Sequence, residues 1–393
     1  MNIQQNAIIT LIKSAITGEK CKLPEGFDLI QAKTIAQRHN IVSMIYYGAL
    51  NCGIPPKDAT MQALFVKTCM YIAVSERQAL EVKKILPLFE KNEIKHMPLK
   101  GLILKSMYPK SEMRVMGDAD ILICTEQIDR INSVMQELGY DFVGTSDHEI
   151  KWKTDNLFVE LHSRLIPSYN KDYYSYFGDG WRLAKVNDGG CYRYAMTDED
   201  MLIYLFVHFA KHYRDAGIGI KHMVDLWVYT SQKNNMNEEY IETELKKLQL
   251  NDFYQNIMHT LNVWFADAQT NAKTDFITNI IFNSGVFGTN ESQILSDALK
   301  TSKTVGSAKK VRVKKFFDLV FLPYKSMRVK YPLLNKAPYL LPAMWIYRVL
   351  DILIHKRERI KFQNNKVRMM TQDNIDNYQV ALNFVGLDFN FKE

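Results

Sequence analysis

Two aspartates one residue apart, Asp118 and Asp120, stand at the head of the apolar run that ends at Cys124, and forty residues on Glu160 lies between Val159 and Leu161. On a strand, successive side chains alternate faces, so Asp118 and Asp120 point one way while Ala119 and Ile121 point the other, into a core. Glu160 projects alone from its own apolar segment, and a strand paired beside the first would set it next to the aspartates. Three carboxylates this close are costly unless cations neutralise them, and all-oxygen ligands suit Mg2+ or Mn2+. Phosphoryl and nucleotidyl transfer need such equipment, because charge builds on an attacking and a leaving oxygen in line and bound cations stabilise both. An isolated Asp-x-Asp also occurs at turns and on solvated strands; the weight rests on the ordered set.

Upstream, Pro98-Leu-Lys-Gly-Leu102 reads as strand, tight turn and helix start. Free backbone N–H groups at such a turn attract phosphate, Gly101 lets a triphosphate approach the backbone, and Lys100 adds a point charge. Arg114, just before the acidic pair, can offer phosphate oxygens a planar fork.

The elements that must position these residues follow from the apolar periods. From Asn2 to Lys91 the spacing is helical, with a stripe Phe65, Cys69, Ile72, Ala79, Val82, Leu86 and Phe89 and a kink expected at Pro87. The period then changes. Ile94 to Leu99 reads as a strand, Leu102 to Tyr108 as a helix, Ala119 to Cys124 as a strand, and Thr125 to Leu138 as an amphipathic helix capped by Thr125 and stopped by Gly139. Tyr140 to Gly144, Glu149 to Thr154 and Leu157 to Leu161 complete a small mixed sheet. After a polar stretch around Asp179 to Gly190, Thr197-Asp-Glu-Asp200 opens a helix, and the remainder is mainly helical. The expected fold class is α+β: a helical lead-in over 1–92, a core with a small mixed sheet over 93–196, and a large helical domain over 197–393.

In order and spacing, the Leu99-Lys100-Gly101 turn, Arg114 before Asp118-x-Asp120, and Glu160-Leu161-His162 resemble the uncharacterised nucleotidyltransferase family of the polymerase-β-like superfamily. Met201 to Tyr229 and Phe321 to Arg348 also look like that family's helical half. The resemblance implies an enzyme that moves a nucleoside monophosphate from an NTP to an acceptor and releases pyrophosphate. It implies catalytic and metal-binding roles for Asp118, Asp120 and Glu160, and nucleotide contacts from Lys100, Gly101, Arg114, His162, His208, His212 and Asp225. One departure is that the wider superfamily shows Gly-Ser or Gly-Gly at the phosphate turn, where this chain has Lys100-Gly101, so a serine contact is lost.

His208-Phe-Ala-Lys-His212 has the spacing of a helical zinc site, but Phe209 stands where a zinc protease needs glutamate. Interior polar packing is the plainer account of the two histidines, with Asp225 available to fix a histidine tautomer in a nucleotide-contacting role.

The net charge of +7 is modest, yet Lys309, Lys310, Arg312, Lys314, Lys315, Lys325, Arg328 and Lys330 face only Asp318. An anionic partner at 309–330 and a merely solvated face account for this equally well. The rings and cations between Tyr324 and Arg348 read first as the packing of a helical lobe. Five scattered cysteines at no metal or redox spacing read as reduced thiols of a cytoplasmic protein, and neither a signal peptide nor a membrane-spanning run is visible. The partners expected are therefore an NTP and an acceptor that the sequence leaves open among RNA, protein and small molecule. Two rival readings are an Asp-x-Asp glycosyltransferase using a nucleotide sugar, and a catalytically silent protein that binds nucleotide or nucleic acid.

Overall fold

The computed structural model of the chain describes residues 1–187, 189–286, 288–355 and 368–387; Asp188 of the polar stretch and the end of the helical domain at 388–393 lie outside them. The change of period after Lys91 marks a five-stranded mixed sheet of order β1-β2-β5-β4-β3. Its strands are β1 (His96–Pro98), β2 (Ala119–Ile123), β3 (Asp141–Thr145), β4 (Glu149–Lys153) and β5 (Phe158–His162). Only β2 and β5 run parallel; β1 on β2, β5 on β4 and β4 on β3 are antiparallel.

One face of the sheet carries Ala119, Ile121, Ile123, Val159, Leu161 and Trp152, all buried, against Ile85 and Phe89 of helix α4 (Ala59–Lys91) and Ile131, Val134 and Met135 of a helix over Ile128–Glu137. The opposite face therefore carries the side chains one residue out of step, the acids among them. Gly139 ends the second of these helices with a φ of 77°, while Thr125 begins a short 3-10 turn rather than capping the helix with its side chain.

The α4 stripe read from the sequence holds at its C-terminal end, where Phe89 is buried and Val82 and Leu86 pack on the core, and is rotated over its N-terminal part. Met61, Leu64, Thr68, Ser75, Gln78, Glu81, Ile85 and Phe89 face inward, and Phe65, Cys69 and Ile72 are exposed. Polar residues hold the inner face because they have partners there: Gln78 donates to the Met116 carbonyl at 3.1 Å and Glu81 accepts from the Tyr140 hydroxyl at 3.1 Å. Pattern counting discounts such residues although hydrogen bonding makes their burial tolerable. The helix runs through Pro87 as one element.

Two earlier helices, α1 (Ile3–Thr17) and α3 (Val42–Asn51), cross where Gly48 lies on the α1 backbone. A Cβ at Gly48 would stand 2.1 Å from the Leu11 carbonyl oxygen. Neither backbone can yield locally, so Gly48→Ala is expected to destabilise the protein by about 2 kcal/mol or more, read as a lower urea midpoint at unchanged slope. Cys21 and Cys52 form a disulfide across a Cα separation of 4.8 Å, which corrects the expectation of five free thiols; Cys69, Cys124 and Cys191 remain free. A 31-residue separation carries no pairing signal, and the cysteine count no longer argues for a cytoplasmic setting.

Thr197 caps helix α8 (Asp198–Asp215) as its spacing predicts, accepting from the Asp200 N–H at 3.1 Å and donating to the Asp200 carboxylate at 2.8 Å. Helix α9 (Ile220–Gln232) follows. The described residues fall into two compact units, one within Met1–Tyr213, Ile218–Phe287 and Val385–Glu393, the other within Arg214–Gly217 and Gly288–Phe384. In the second, the basic helix Ala308–Val320 leaves Lys309, Lys310 and Lys314 exposed, while Lys315 pairs with Asp297 at 2.6 Å and Arg312 donates to the Met370 carbonyl. Arg328 lies over the Tyr324 ring and Trp345 donates to the Leu322 carbonyl, contacts within the lobe itself. No helix among the described residues is long and apolar enough to cross a membrane.

Candidate active site

The acids come together through register. Asp120 on β2 is paired with Glu160 on β5, and Glu160 with Lys151 on β4, so one row of side chains crosses three strands on the face opposite the core. Two residues further along the same face, His162 of β5 is paired with Glu149 of β4. Asp118 precedes β2 by one residue and shares the face of Asp120.

The carboxylates have nitrogen neighbours at once, from two lysines and a histidine. Lys100 Nζ lies 3.3 Å from Asp120 Oδ1, and His162 Nε2 lies 2.7 Å from the same oxygen. Lys151 Nζ donates to Glu160 Oε1 and Glu149 Oε2, both at 2.8 Å. Burial, then the charges of Asp120 and Glu160, push the Asp118 carboxyl up, and Lys100 and Lys221 only partly offset this. Burial would also raise Asp120, but Lys100 and His162 outweigh it and hold its carboxyl well below the usual carboxylate range. The site thus keeps one acid firmly ionised beside another whose charge is resisted, an arrangement that further cations would relieve. Asp120, Glu160 and His162 each offer a ligand atom within 4.8 Å of the other two, as do His148, Glu149 and His162. Carboxylate oxygens with imidazole nitrogen fit a divalent metal.

Lys100 is the residue before a single helical turn, Gly101–Leu104, that continues as a 3-10 turn to Met107; this replaces the longer helix read over Leu102 to Tyr108. Its φ of 40° is uncommon for a side chain with a Cβ, and the Lys100 ammonium lies 6.0 Å from the centre of the buried Tyr204 ring. Burial opposes the Lys100 charge, but Asp120, Tyr204 and Asp118 raise its pKa and keep it protonated. At Gly101 a Cβ would meet the Met116 side chain at 3.2 Å, so the glycine also admits the segment that leads into Asp118.

Arg114 is buried, and its Nε donates to Asp225 on α9 at 2.8 Å while Nη1 donates to the Val115 carbonyl. Asp225 also accepts from the Tyr108 hydroxyl at 2.7 Å; it serves Arg114 and Tyr108 where a histidine partner was expected. Lys221, one turn before Asp225, reaches the Val115 carbonyl at 3.4 Å, and burial followed by Arg114 lowers its pKa to about 8. On α8, the Nε2 atoms of His208 and His212 lie 3.1 Å apart, so one ring donates to the other. Burial, then Lys100, keeps His208 neutral with its pKa well below the usual histidine value.

Lys151, Glu149, Lys221 and Tyr108 were not singled out in the sequence. Glu149 and Lys151 alternate along a strand that is legible, but their meeting with Glu160 depends on an antiparallel register that alternation alone does not give. Lys221 lies on a helix far from the acids in the chain, and Tyr108, just after the 3-10 turn, shows its role only when α9 brings Asp225 to it.

Two strand-borne acids side by side, a third acid at the strand entry and a lysine turn against them are groups that nucleotidyl transfer can use. Residues 27–266 match the model of a family described as an uncharacterised nucleotidyltransferase, and the chain belongs to that family and is a nucleotidyltransferase. A solved structure of the antibiotic-resistance factor ANT(2'')-Ia is similar over 47% of this chain and 97% of its own, at 11% identity and a TM-score of 0.34. No curated protein matches the chain.

Proposed function

We propose that the enzyme moves a nucleoside monophosphate from an NTP to an acceptor, the acceptor oxygen forming a bond to the α-phosphorus as the bond to the β-phosphate oxygen breaks and pyrophosphate leaves. The observation that carries this is the β2–β5 register, which sets Asp120 beside Glu160 on the face away from the core with Asp118 at its edge. When bound, Mg2+ or Mn2+ would supply charge stabilisation to the attacking and leaving oxygens, held by Asp118, Asp120 and Glu160. In this scheme Glu160 takes the proton of the acceptor hydroxyl, and Lys151 steadies its carboxylate until the acceptor arrives. Lys100 and the Gly101 turn meet the phosphates, and His208 and His212 line the nucleotide's side of α8. Arg114 and Asp225 position the strand entry, and Lys221 adds a phosphate contact. RNA, protein and small molecule stay open as acceptor classes, with Lys309, Lys310 and Lys314 a surface for an anionic one.

A thermal-shift screen with the four NTPs and several nucleotide sugars, with and without Mg2+ or Mn2+, tests the proposal, because a ligand that binds only the native state raises its melting temperature. Stabilisation by an NTP that needs metal and vanishes in Asp118→Asn is the expected result. Stabilisation by nucleotide sugars alone, or by NTP equally with and without metal, would overturn it.

Lys221 gives the nucleotide affinity a pH dependence. It is charged below about 8 and attracts the triphosphate; as pH rises through that value it loses the proton and affinity falls. Bound phosphate itself favours the charged form and extends the window upward. Calorimetric titration from about pH 7 to about pH 10 should show the decline in the wild type, and a much flatter profile in Lys221→Arg, whose guanidinium stays protonated throughout.

A further inference from the structure

The acids are not alone on their face of the sheet. His162 lies two residues after Glu160 on β5, so its ring stands over the same surface, buried to 2% exposure. Its Nε2 is 2.7 Å from Asp120 Oδ1 and 3.9 Å from Glu160 Oε2, while Lys151 holds the other Glu160 oxygen. We propose that His162 Nε2 is a direct metal ligand beside Asp120 and Glu160, and that this oxygen–oxygen–nitrogen set makes the centre select Mn2+ over Mg2+. The inference rests on the nucleotidyl-transfer reading of the site and adds to it a ligand and a metal preference.

The spacing is that of atoms sharing one ion. With bonds of about 2.2 Å, neighbouring ligands of an octahedral ion lie about 3.1 Å apart and opposite ligands about 4.4 Å apart. The two Nε2 distances fall near and between these values, so small side-chain adjustments bring all three atoms onto one cation. Nε2 lies within hydrogen-bond distance of Asp120 Oδ1 while Nδ1 has no hydrogen-bond partner among the described residues, so the tautomer with its one N–H on Nδ1 would turn the Nε2 lone pair toward a cation held by Asp120 and Glu160. Mg2+ is a hard ion that keeps oxygen ligands and gives up water reluctantly, whereas Mn2+ stands higher in the divalent series and accepts imidazole nitrogen as well as carboxylate. The imidazole nitrogen widens that preference beyond what carboxylates alone would give.

The test is binding of Mn2+ and of Mg2+ to the full-length protein, followed by calorimetry, with pulsed electron paramagnetic resonance on the Mn2+ form. Wild type should show nitrogen modulation that changes when the protein is labelled with 15N-histidine, an observation that requires no variant. His162→Gln, which keeps a donor for Asp120 but lacks the imidazole, should lose the modulation and bind Mn2+ about tenfold more weakly, while Mg2+ binding shifts by less than about threefold. Mn2+ bound in a manner that depends on Asp120 but without nitrogen modulation, or an equal loss of both ions in His162→Gln, would overturn the ligand assignment and leave the transfer reading standing. If neither ion binds with or without an α,β-methylene NTP analogue, both fall.

Discussion

Asp120→Asn is expected to cut pyrophosphate release, the product common to every acceptor, by about a hundred- to a thousandfold, about 3–4 kcal/mol of transition-state stabilisation. The substitution is nearly isosteric, so the loss is electrostatic. Asp120 is the residue on which the cluster converges: Lys100 and His162 both reach its Oδ1, and Glu160 is its cross-strand neighbour. An amide there removes a negative charge from a buried site that already holds the Lys100 ammonium, and metal affinity should fall with the rate. The same change also deprives Lys100 of its counter-charge, and a moderately lower melting temperature is expected beside the kinetic effect. Release within about threefold of wild type at saturating metal would mean that Asp120 serves only to hold Lys100.

The second large effect is one of stability. Asp225→Ala leaves the Arg114 guanidinium buried and unpaired and the Tyr108 hydroxyl without its acceptor, and removing one partner of a buried pair costs about 3–5 kcal/mol. Equilibrium denaturation should show that loss, and Arg114→Ala with Asp225→Ala together should cost clearly less than the two single losses added, since the partners are in contact. Strict additivity would show that the two residues do not depend on one another. Because Arg114 and Lys221 both grip the Val115 carbonyl, three residues ahead of Asp118, the destabilised variant should also bind metal more weakly.

Much of this is legible in the amino-acid sequence. Five strands were placed nearly at their observed bounds because alternation is a local signal, and the Thr197 cap was read from four residues. Asp118, Asp120 and Glu160 stood out because a lone acid in an apolar strand conflicts with burial unless it has work to do. What was hidden depends on contacts between distant segments. Arg114 looks like a free phosphate fork until α9 brings Asp225 to it, and Lys151 looks like a solvated strand lysine until β4 is laid antiparallel to β5. Part of the inner face of α4 is hidden for the same reason: Phe89 is read correctly, but Gln78 and Glu81 are buried by partners that a helical period cannot see.

The bond from Arg114 to Asp225 spans 111 residues. During synthesis all three acids emerge from the ribosome well before the helix that fixes the way into them, and domains fold as their last partners become available. A polypeptide cut short between Glu160 and Asp225 would carry the full acidic set with its entrance unanchored, so the order of translation itself delays a working centre until the chain has committed to its helical half.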